Sequence, residues 1–210
     1  MEKKGQIRVD SQNIMPVIKK WLYSDKDIFL RELVSNACDA VAKYKKLVTL
    51  GNAPDDAAGY RVNVYTDKDN GLLKVEDNGL GMTAEEVEKY IAQVAFSGAE
   101  DFVAKYTDAG KDGIIGHFGL GFYSAYMVSD LVEIDSLSYQ EGAESVNWAS
   151  DGGSEYTIKE GTRNSRGTTV TLHVSDTEKE FLQEYRIREL LRKYCAFMPV
   201  EIYLNPKGTE

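Results

Sequence analysis

The strongest pattern in this sequence is an amphipathic helix, which we predict over residues 28–47. Apolar residues recur along one side, and the polar side chains of Glu32, Asn36 and Asp39 form a second stripe beside them. A carboxylate and an amide stacked one turn apart can serve as a general base and a hard-metal ligand. On the helix alone, a solvated acidic face is the more common interpretation. The role of the stripe therefore depends on the other motifs of the chain.

The order of the remaining predicted elements indicates an α+β fold. Alternating residues predict strands over 60–66 and 72–77, and Thr83 and Glu86 form a capping-box pattern before a helix over 85–96. Further helices are predicted over 13–23, 122–128 and 179–195, and further strands over 7–9, 131–136, 145–149, 155–159, 168–174 and 200–204. Because helices cluster early and strands late, we expect a two-layer sandwich, in which helices cover one face of a mostly antiparallel sheet.

Composition argues against several classes of function. The net charge of −9 disfavours binding to a nucleic-acid backbone, although a nucleotide pocket sets its own local field. No apolar run approaches the ~20 residues of a membrane span, and no hydrophobic stretch follows the basic N-terminus. We therefore expect neither a membrane span nor a signal peptide. Cys38 and Cys195 lack metal-site spacing, so we expect buried thiols in a reducing cytosol.

A glycine-rich turn follows the strand predicted over 72–77. Asp77 can accept a hydrogen bond from an exocyclic amine, and Gly79 and Gly81 let the backbone approach a flat ring. Met82 offers a polarizable surface to an aromatic base. An ordinary glycine-rich turn fits this segment equally well.

Two further segments carry glycine. Gly116, Gly119 and Gly121 precede the helix predicted over 122–128, so their amides and the helix N-terminus can bind an anion. The segment is neither a Walker A loop nor a dinucleotide fingerprint, and a lone glycine pattern is a weak signal. Thr168 follows Gly167 at the start of a strand, which by itself is unremarkable.

Taken together and in this order, these elements resemble the nucleotide-binding motifs of the gyrase, heat-shock protein 90, histidine kinase and MutL superfamily. The closer resemblance is to the N-terminal domain of the heat-shock protein 90 chaperone family, in its prokaryotic branch. Residues 23–40, YSDKDIFLRELVSNACDA, and 115–130, IGHFGLGFYSAYMVSD, carry that likeness. The resemblance covers essentially the whole chain and implies the Bergerat-type ATP-binding fold.

The resemblance implies a role for each candidate residue, with ATP or ADP and Mg²⁺ as ligands. Glu32 matches the general base that activates water, and Asn36 matches a Mg²⁺ ligand that also touches phosphate. Asp77 matches the adenine anchor, helped by Thr168 and ordered water. The other matching pocket positions are Asp39, Ala40, Gly81, Met82, Gly119, Gly121 and Phe122. Among these, Met82 matches the wall of the base site, and the last three match the phosphate-binding end.

The resemblance also implies features beyond the pocket. Residues 1–210 would be one N-terminal nucleotide-binding domain with a mobile lid at about 97–116, and middle and C-terminal domains would be absent from the chain. Expected partners are unfolded or partly folded client proteins and, in the full-length protein, a second copy. The expected setting is the stress response in the cytoplasm. Phe96 replaces a lysine and His117 replaces a glutamine that are usual in the family, so contacts of that lysine cannot be transferred.

The sequence predicts slow ATP hydrolysis by this chain alone. Phosphoryl transfer needs a cation near the γ-phosphate, and none of the candidate pocket residues is basic. Arg31 adjoins Glu32, but at about 100° per residue it is expected to point away from it. Lys111 lies in the predicted lid, and no motif fixes its position. The resemblance implies that a middle domain supplies the missing arginine.

The sequence leaves three alternative functions open. A type II topoisomerase or mismatch-repair ATPase would share the fold, but the acidic balance and the signature helix disfavour it. A histidine kinase catalytic domain is a second alternative, although neither His117 nor His173 lies on an evident phosphoacceptor helix. A non-catalytic nucleotide sensor is the third, and it would have no need of Glu32.

Overall fold

A computed structural model describes residues 25–55, 59–91, 121–153 and 155–206 of the chain. The predicted strand over 7–9, the predicted helix over 13–23 and the whole of the predicted lid at about 97–116 lie outside these residues, as do Phe96 and Gly119. Predictions about those segments therefore stay predictions.

The described residues form three α-helices, two 3-10 helices and seven strands. In chain order these are α1 (Ile28–Thr49), β1 (Arg61–Asp67), β2 (Leu72–Asp77), α2 (Ala84–Tyr90), a 3-10 helix (Gly121–Met127), β3 (Ser129–Leu137), β4 (Val146–Ser150), β5 (Thr157–Glu160), β6 (Gly167–Val174), a second 3-10 helix (Asp176–Leu182), α3 (Glu184–Tyr194) and β7 (Glu201–Leu204). None of the described helices is long and apolar enough to cross a membrane.

The seven strands form one sheet in the order β5-β4-β3-β6-β2-β1-β7. Every neighbouring pair is antiparallel except β1 and β7, which are parallel. The α+β fold with a mostly antiparallel sheet is therefore confirmed. β2 and β6 pair at the centre of the sheet, although β3, β4 and β5 lie between them in the chain.

Alternation along the strands gives the sheet one apolar face. Paired residues on that face include Val75 with Val170, Ile134 with Val170 and Ile134 with Trp148. These side chains form one core with the apolar side of α1, where Phe29, Leu33 and other residues are buried. Such alternation is typical of a sheet that is covered by helices on one side.

Three predicted helices differ from the observed ones. The helix predicted over 179–195 is interrupted at Gln183, whose extended backbone separates the second 3-10 helix from α3. Phe181, just before this break, is buried and packs edge-on against Phe29 of α1, with the ring centroids 5.1 Å apart. The helix predicted over 122–128 is a 3-10 helix, Gly121–Met127. The helix predicted over 85–96 begins, as α2, with the predicted capping box of Thr83 and Glu86, but it ends at Tyr90.

Cys38 and Cys195 are both buried thiols, as predicted. Burial raises the pKa of the Cys38 thiol to about 12 and that of Cys195 to about 11. Each thiol is therefore protonated at neutral pH, which is typical of a structural cysteine and not of a reactive one.

Candidate functional site

Asp77 ends β2 in a buried position near the centre of the sheet. The residue is only 5% exposed and lies opposite Thr168 of β6, and its Oδ1 accepts a hydrogen bond from the Gly79 amide at 2.8 Å. Burial raises the pKa of the Asp77 carboxyl to about 7, and the Gly79 amide and the positive charge of Arg163 act against that rise. A buried carboxylate poised in this way is a candidate for a ligand-binding group.

The turn after Asp77 needs its glycines because the backbone packs closely on both sides. A Cβ on Gly79 would lie 2.4 Å from the carbonyl carbon of Ala40 in α1. A Cβ on Gly81 would lie 1.8 Å from the Leu137 oxygen, and Gly81 has a φ of +62°, which favours glycine. The turn is therefore held between α1 and the end of β3.

Ser136 of β3 joins the parts of this region, although it belongs to none of the motifs recognised in the sequence. Its Oγ accepts a hydrogen bond from the Met82 amide at 2.9 Å and shares another with Thr168 Oγ1 at 2.9 Å. The sequence did contain one indication of this role: Ser136 follows Val132 and Ile134 at alternate positions of the strand, so its side chain is expected to face the interior. Such a residue must find a polar partner, and here the partners belong to the candidate site.

Glu32 lies near the start of α1, beside the first 3-10 helix. A Cβ on Gly121 would lie 2.5 Å from Glu32 Oε2, so the carboxylate occupies the space that glycine leaves. Arg31 donates to Glu32 Oε1 through Nε at 3.1 Å and Nη2 at 2.6 Å. The prediction that Arg31 points away is therefore wrong: its Cα–Cβ bond diverges from that of Glu32, but its long side chain turns back.

Asn36 and Asp39 continue the polar stripe along α1. Asn36 is exposed, whereas Asp39 is buried. Asp39 also acts on Lys43, one turn later: burial lowers the pKa of Lys43, and the negative charge of Asp39 opposes that shift. The stripe is thus part solvent-facing and part interior, as its position beside the apolar stripe predicted.

The structure brings the predicted residues into two groups along α1. Ala40 meets the turn at its backbone, where the Leu80 amide donates to the Ala40 oxygen at 3.3 Å, and this end also holds Asp77, Gly81, Met82 and Thr168. The other end holds Glu32, Gly121 and the buried Phe122. At about 1.5 Å per residue, Glu32 and Ala40 lie about 12 Å apart along the helix.

The described residues contain no group of three or more His, Cys, Asp or Glu side chains that could hold a metal ion. Mg²⁺ commonly takes one or two protein ligands and completes its shell with phosphate oxygens and water. The exposed amide of Asn36, one turn from Glu32, fits that shared mode of binding, with one ligand from the protein.

The sequence of the chain is also similar to those of known proteins. Residues 25–178 match the family described as "Histidine kinase-, DNA gyrase B-, and HSP90-like ATPase". The chain is 51% identical over 204 residues to the chaperone protein HtpG of Bacteroides fragilis (strain 638R), covering 97% of this chain and 30% of that protein. For HtpG of Porphyromonas gingivalis (strain ATCC BAA-308 / W83), identity is 50% over 207 residues, with 99% and 30% covered. For HtpG of Geobacter sulfurreducens, it is 37% over 214 residues, with 98% and 32% covered.

Proposed function

Because this chain belongs to the family of histidine kinase-, DNA gyrase B- and HSP90-like ATPases, we propose that it is the ATP-binding and ATP-hydrolysing domain of a chaperone. The predicted resemblance to the heat-shock protein 90 family is confirmed by the family match and the HtpG relatives. The chain spans about 30% of the length of those relatives. Chaperone activity therefore belongs to the proposal for the whole protein.

The observation that carries the proposal is the buried carboxylate of Asp77 beside a glycine-dependent turn. As a carboxylate, Asp77 accepts hydrogen bonds only, so it suits the exocyclic amine of adenine and rejects a carbonyl at the same place. Thr168 contributes a hydroxyl that is already oriented by Ser136. Met82 supplies an apolar surface beside them, since its side chain is partly buried against the core.

At the other end of α1, Glu32 would accept a proton from the attacking water. A base must lie within hydrogen-bond reach of that water, and contact with Arg31 and Gly121 limits the positions that the carboxylate can take. Asn36 would hold the Mg²⁺ that accompanies ATP, and the ion would neutralise phosphate charge. Gly119 and Gly121, with Phe122, would form the phosphate end of the pocket.

The finer features of the whole protein are also part of the proposal. We expect unfolded or partly folded proteins as clients, dimerisation of the full-length protein, lid closure on ATP and a role in the stress response. A cytoplasmic location would suit the two buried thiols, because reducing compartments keep cysteines unpaired. Slow turnover by this chain alone remains our expectation, with the main transition-state cation supplied from outside it.

Calorimetry with ADP and the 210-residue chain tests the base site. Asp77→Asn replaces the charged acceptor and should weaken binding at pH 8 by at least ~10-fold, because a lost bond to a buried charged group costs about 1.5–3 kcal/mol. Circular dichroism establishes that the variant is folded. The matched control is Asp69→Asn in the β1–β2 turn, which should bind ADP like the parent chain. Equal affinity of folded Asp77→Asn and the parent would refute the assignment of the base site.

Single-turnover hydrolysis of radiolabelled ATP separates binding from chemistry. Glu32→Ala should bind ATP with near-parent affinity and lose about 10²–10⁴-fold in rate, because a positioned base contributes that much. Asn36→Ala should instead lose the Mg²⁺-dependent part of its ATP affinity. A parent-like rate for Glu32→Ala would show that another group is the base.

A further inference from the structure

The loop between β5 and β6 is anchored by its backbone to the neighbouring strands. The Gly161 amide donates to the Ser145 oxygen at 2.9 Å, and the Thr162 amide donates to both carboxylate oxygens of Asp135 at 3.1 and 3.0 Å. The next amide, of Arg163, donates to Ser145 Oγ at 3.1 Å. These backbone hydrogen bonds hold the main chain at Arg163 in place independently of the contacts that its side chain makes.

The Arg163 side chain runs from this loop to the end of β2, where only 10% of it remains exposed. Its Nη2 donates to the backbone oxygens of Asp77 at 3.4 Å and Arg166 at 3.3 Å, and its Nη1 donates to Thr169 Oγ1. The same nitrogen, Nη2, lies 3.8 Å from the carboxylate of Glu76. One guanidinium thus joins the last two residues of β2 to the start of β6.

Arg166 makes a second link from the same loop to the turn. Its Nη1 donates to the Gly79 oxygen at 3.2 Å, and its guanidinium carbon lies 3.7 Å from the ring centroid of Tyr44 in α1. Tyr44 is itself buried and donates through its hydroxyl to the Pro54 oxygen at 2.7 Å. The turn that follows Asp77 is therefore held on α1 by one arginine and on β6 by the other.

Gly167 shows how tightly this region is closed. A Cβ at this position would lie 2.1 Å from the Asp77 oxygen and 3.0 Å from Arg163 Nη2, and its φ of +119° is one that glycine adopts most readily. The loop can therefore reach the end of β2 only with glycine there, and Arg163 fills the remaining space beside it.

We propose that Arg163 is a positioning residue for nucleotide binding: from the β5–β6 loop it holds the backbone of Asp77 in place and favours the carboxylate form. The inference rests on the proposed role of Asp77 as the adenine anchor. Arg163 would act through Asp77, because its guanidinium donates to the backbone oxygen of Asp77 and to Thr169 Oγ1. Arg166 supports the same turn through the backbone oxygen of Gly79. Arg163 instead donates to Asp77 itself, whose carboxylate would bind adenine.

Electrostatics agrees with the contacts. Two charged residues bear on the charge of Asp77: Arg163 favours the carboxylate and Glu76 disfavours it. The backbone amides of Gly79 and Thr168 also favour the carboxylate, and the neighbouring Cys38 thiol of α1 is neutral at neutral pH. Burial raises the pKa of Asp77 to about 7, close to physiological pH. Without the Arg163 cation, the protonated form would extend to higher pH, and adenine would lose its charged acceptor.

The test is ADP affinity of the 210-residue chain, measured by calorimetry from pH 5.5 to 9. Affinity should fall as pH drops through the Asp77 titration. In Arg163→Gln the midpoint of that fall should move upward by about half a unit or more, because the variant lacks the favourable charge. Arg163→Lys should keep the parent midpoint and bind about 3–10-fold more weakly, since lysine keeps the charge and loses the fork of hydrogen bonds. The ADP phosphates also titrate, but they do so equally with every variant, so they do not contribute to a difference in midpoint between variants.

Arg188→Gln is the matched control, because Arg188 is 49% exposed on α3 and pairs with Glu184. It should follow the parent titration. A purely structural role for Arg163 predicts loss of thermal stability with no change of midpoint, and that outcome, or parent-like binding by Arg163→Lys, would overturn the inference. The lysine variant also serves as the test if the glutamine variant does not fold. Failure of the base-site assignment is distinct, because Asp77→Asn would then bind ADP like the parent.

Discussion

The carboxylate of Glu32 lies where a side chain at residue 121 would begin, with Oε2 2.5 Å from the position of a Gly121 Cβ. A methyl group there must displace the carboxylate, because such a short contact is not sustained. Gly121→Ala should therefore reduce single-turnover hydrolysis by at least ~10-fold, since a base that is misplaced by about 1 Å can lose that much or more.

Gly153→Ala is a suitable control for this substitution. Its added Cβ would meet the tip of the exposed Asp151 side chain, which can move aside. The control should hydrolyse ATP at the parent rate. Parent-like hydrolysis by Gly121→Ala would mean that Glu32 tolerates displacement and that its observed position is not the catalytic one.

The ion pair between Arg31 and Glu32 predicts a second effect on turnover. Arg31 holds Glu32 Oε1 through two nitrogens, so Arg31→Ala should leave the carboxylate less well oriented. We expect a loss of about 10-fold in hydrolysis with ATP affinity changed by less than about 3-fold, because orientation affects chemistry more than binding. Arg31→Lys should recover part of the rate through a single contact. Faster hydrolysis by Arg31→Ala would show that the pair restrains the base instead of orienting it.

Ser136 is expected to support binding of the base, although it was not identified from the sequence. Ser136→Ala removes the partner of the Met82 amide and of Thr168 Oγ1. ADP affinity should fall by about 5–10-fold, which corresponds to about 1–1.5 kcal/mol for one hydrogen bond. Ser150→Ala is the control, because Ser150 is also buried but bonds to Glu155 and Gly152. Calorimetry that shows the same loss in both variants would assign it to general destabilisation.

The raised pKa of Asp77 predicts how stability varies with pH. The folded state holds the proton of Asp77 up to about pH 7, against an ordinary value of 3.8, so the stability linked to this group is complete below pH 3.8 and lost by about pH 7. The Asp77→Asn variant has no carboxyl group at this position, so its stability does not fall in this way as pH rises. Relative to the parent it should gain roughly 2–4 kcal/mol in free energy of unfolding between pH 4 and 8, at about 1.4 kcal/mol per pKa unit. Denaturant titrations at the two pH values measure it, and a pH-independent difference would contradict the prediction.

Local patterns were sufficient for much of the fold. β2 has the predicted bounds, α1 is extended by only two residues at its C-terminus, and α2 has its capping box, since each depends on side chains close together in sequence. The break at Gln183 was not predictable in this way, because it accompanies burial of Phe181 against Phe29, a distant part of the chain. Helical spacing alone cannot register such a tertiary contact.

The site shows the same division between local and tertiary information. The turn at Asp77 could be identified because its glycines and carboxylate are adjacent in sequence. Ser136 and Arg163 were missed because their roles depend on which strands are neighbours and on the path of a loop. Arg31 was misjudged because the direction of a Cα–Cβ bond does not determine where a long, flexible side chain ends.

The order of strands in the sheet has a consequence for how this chain folds. β2 and β6 meet at the centre, yet the polypeptide makes β3, β4 and β5 between them. Closing so large a loop is slow, because its entropy must be lost before the new contacts form. We therefore expect Asp77 and Thr168, which face each other across this junction, to come together late in folding. Acquisition of nucleotide affinity during refolding should be a late event that reports the closure of the central strand pair.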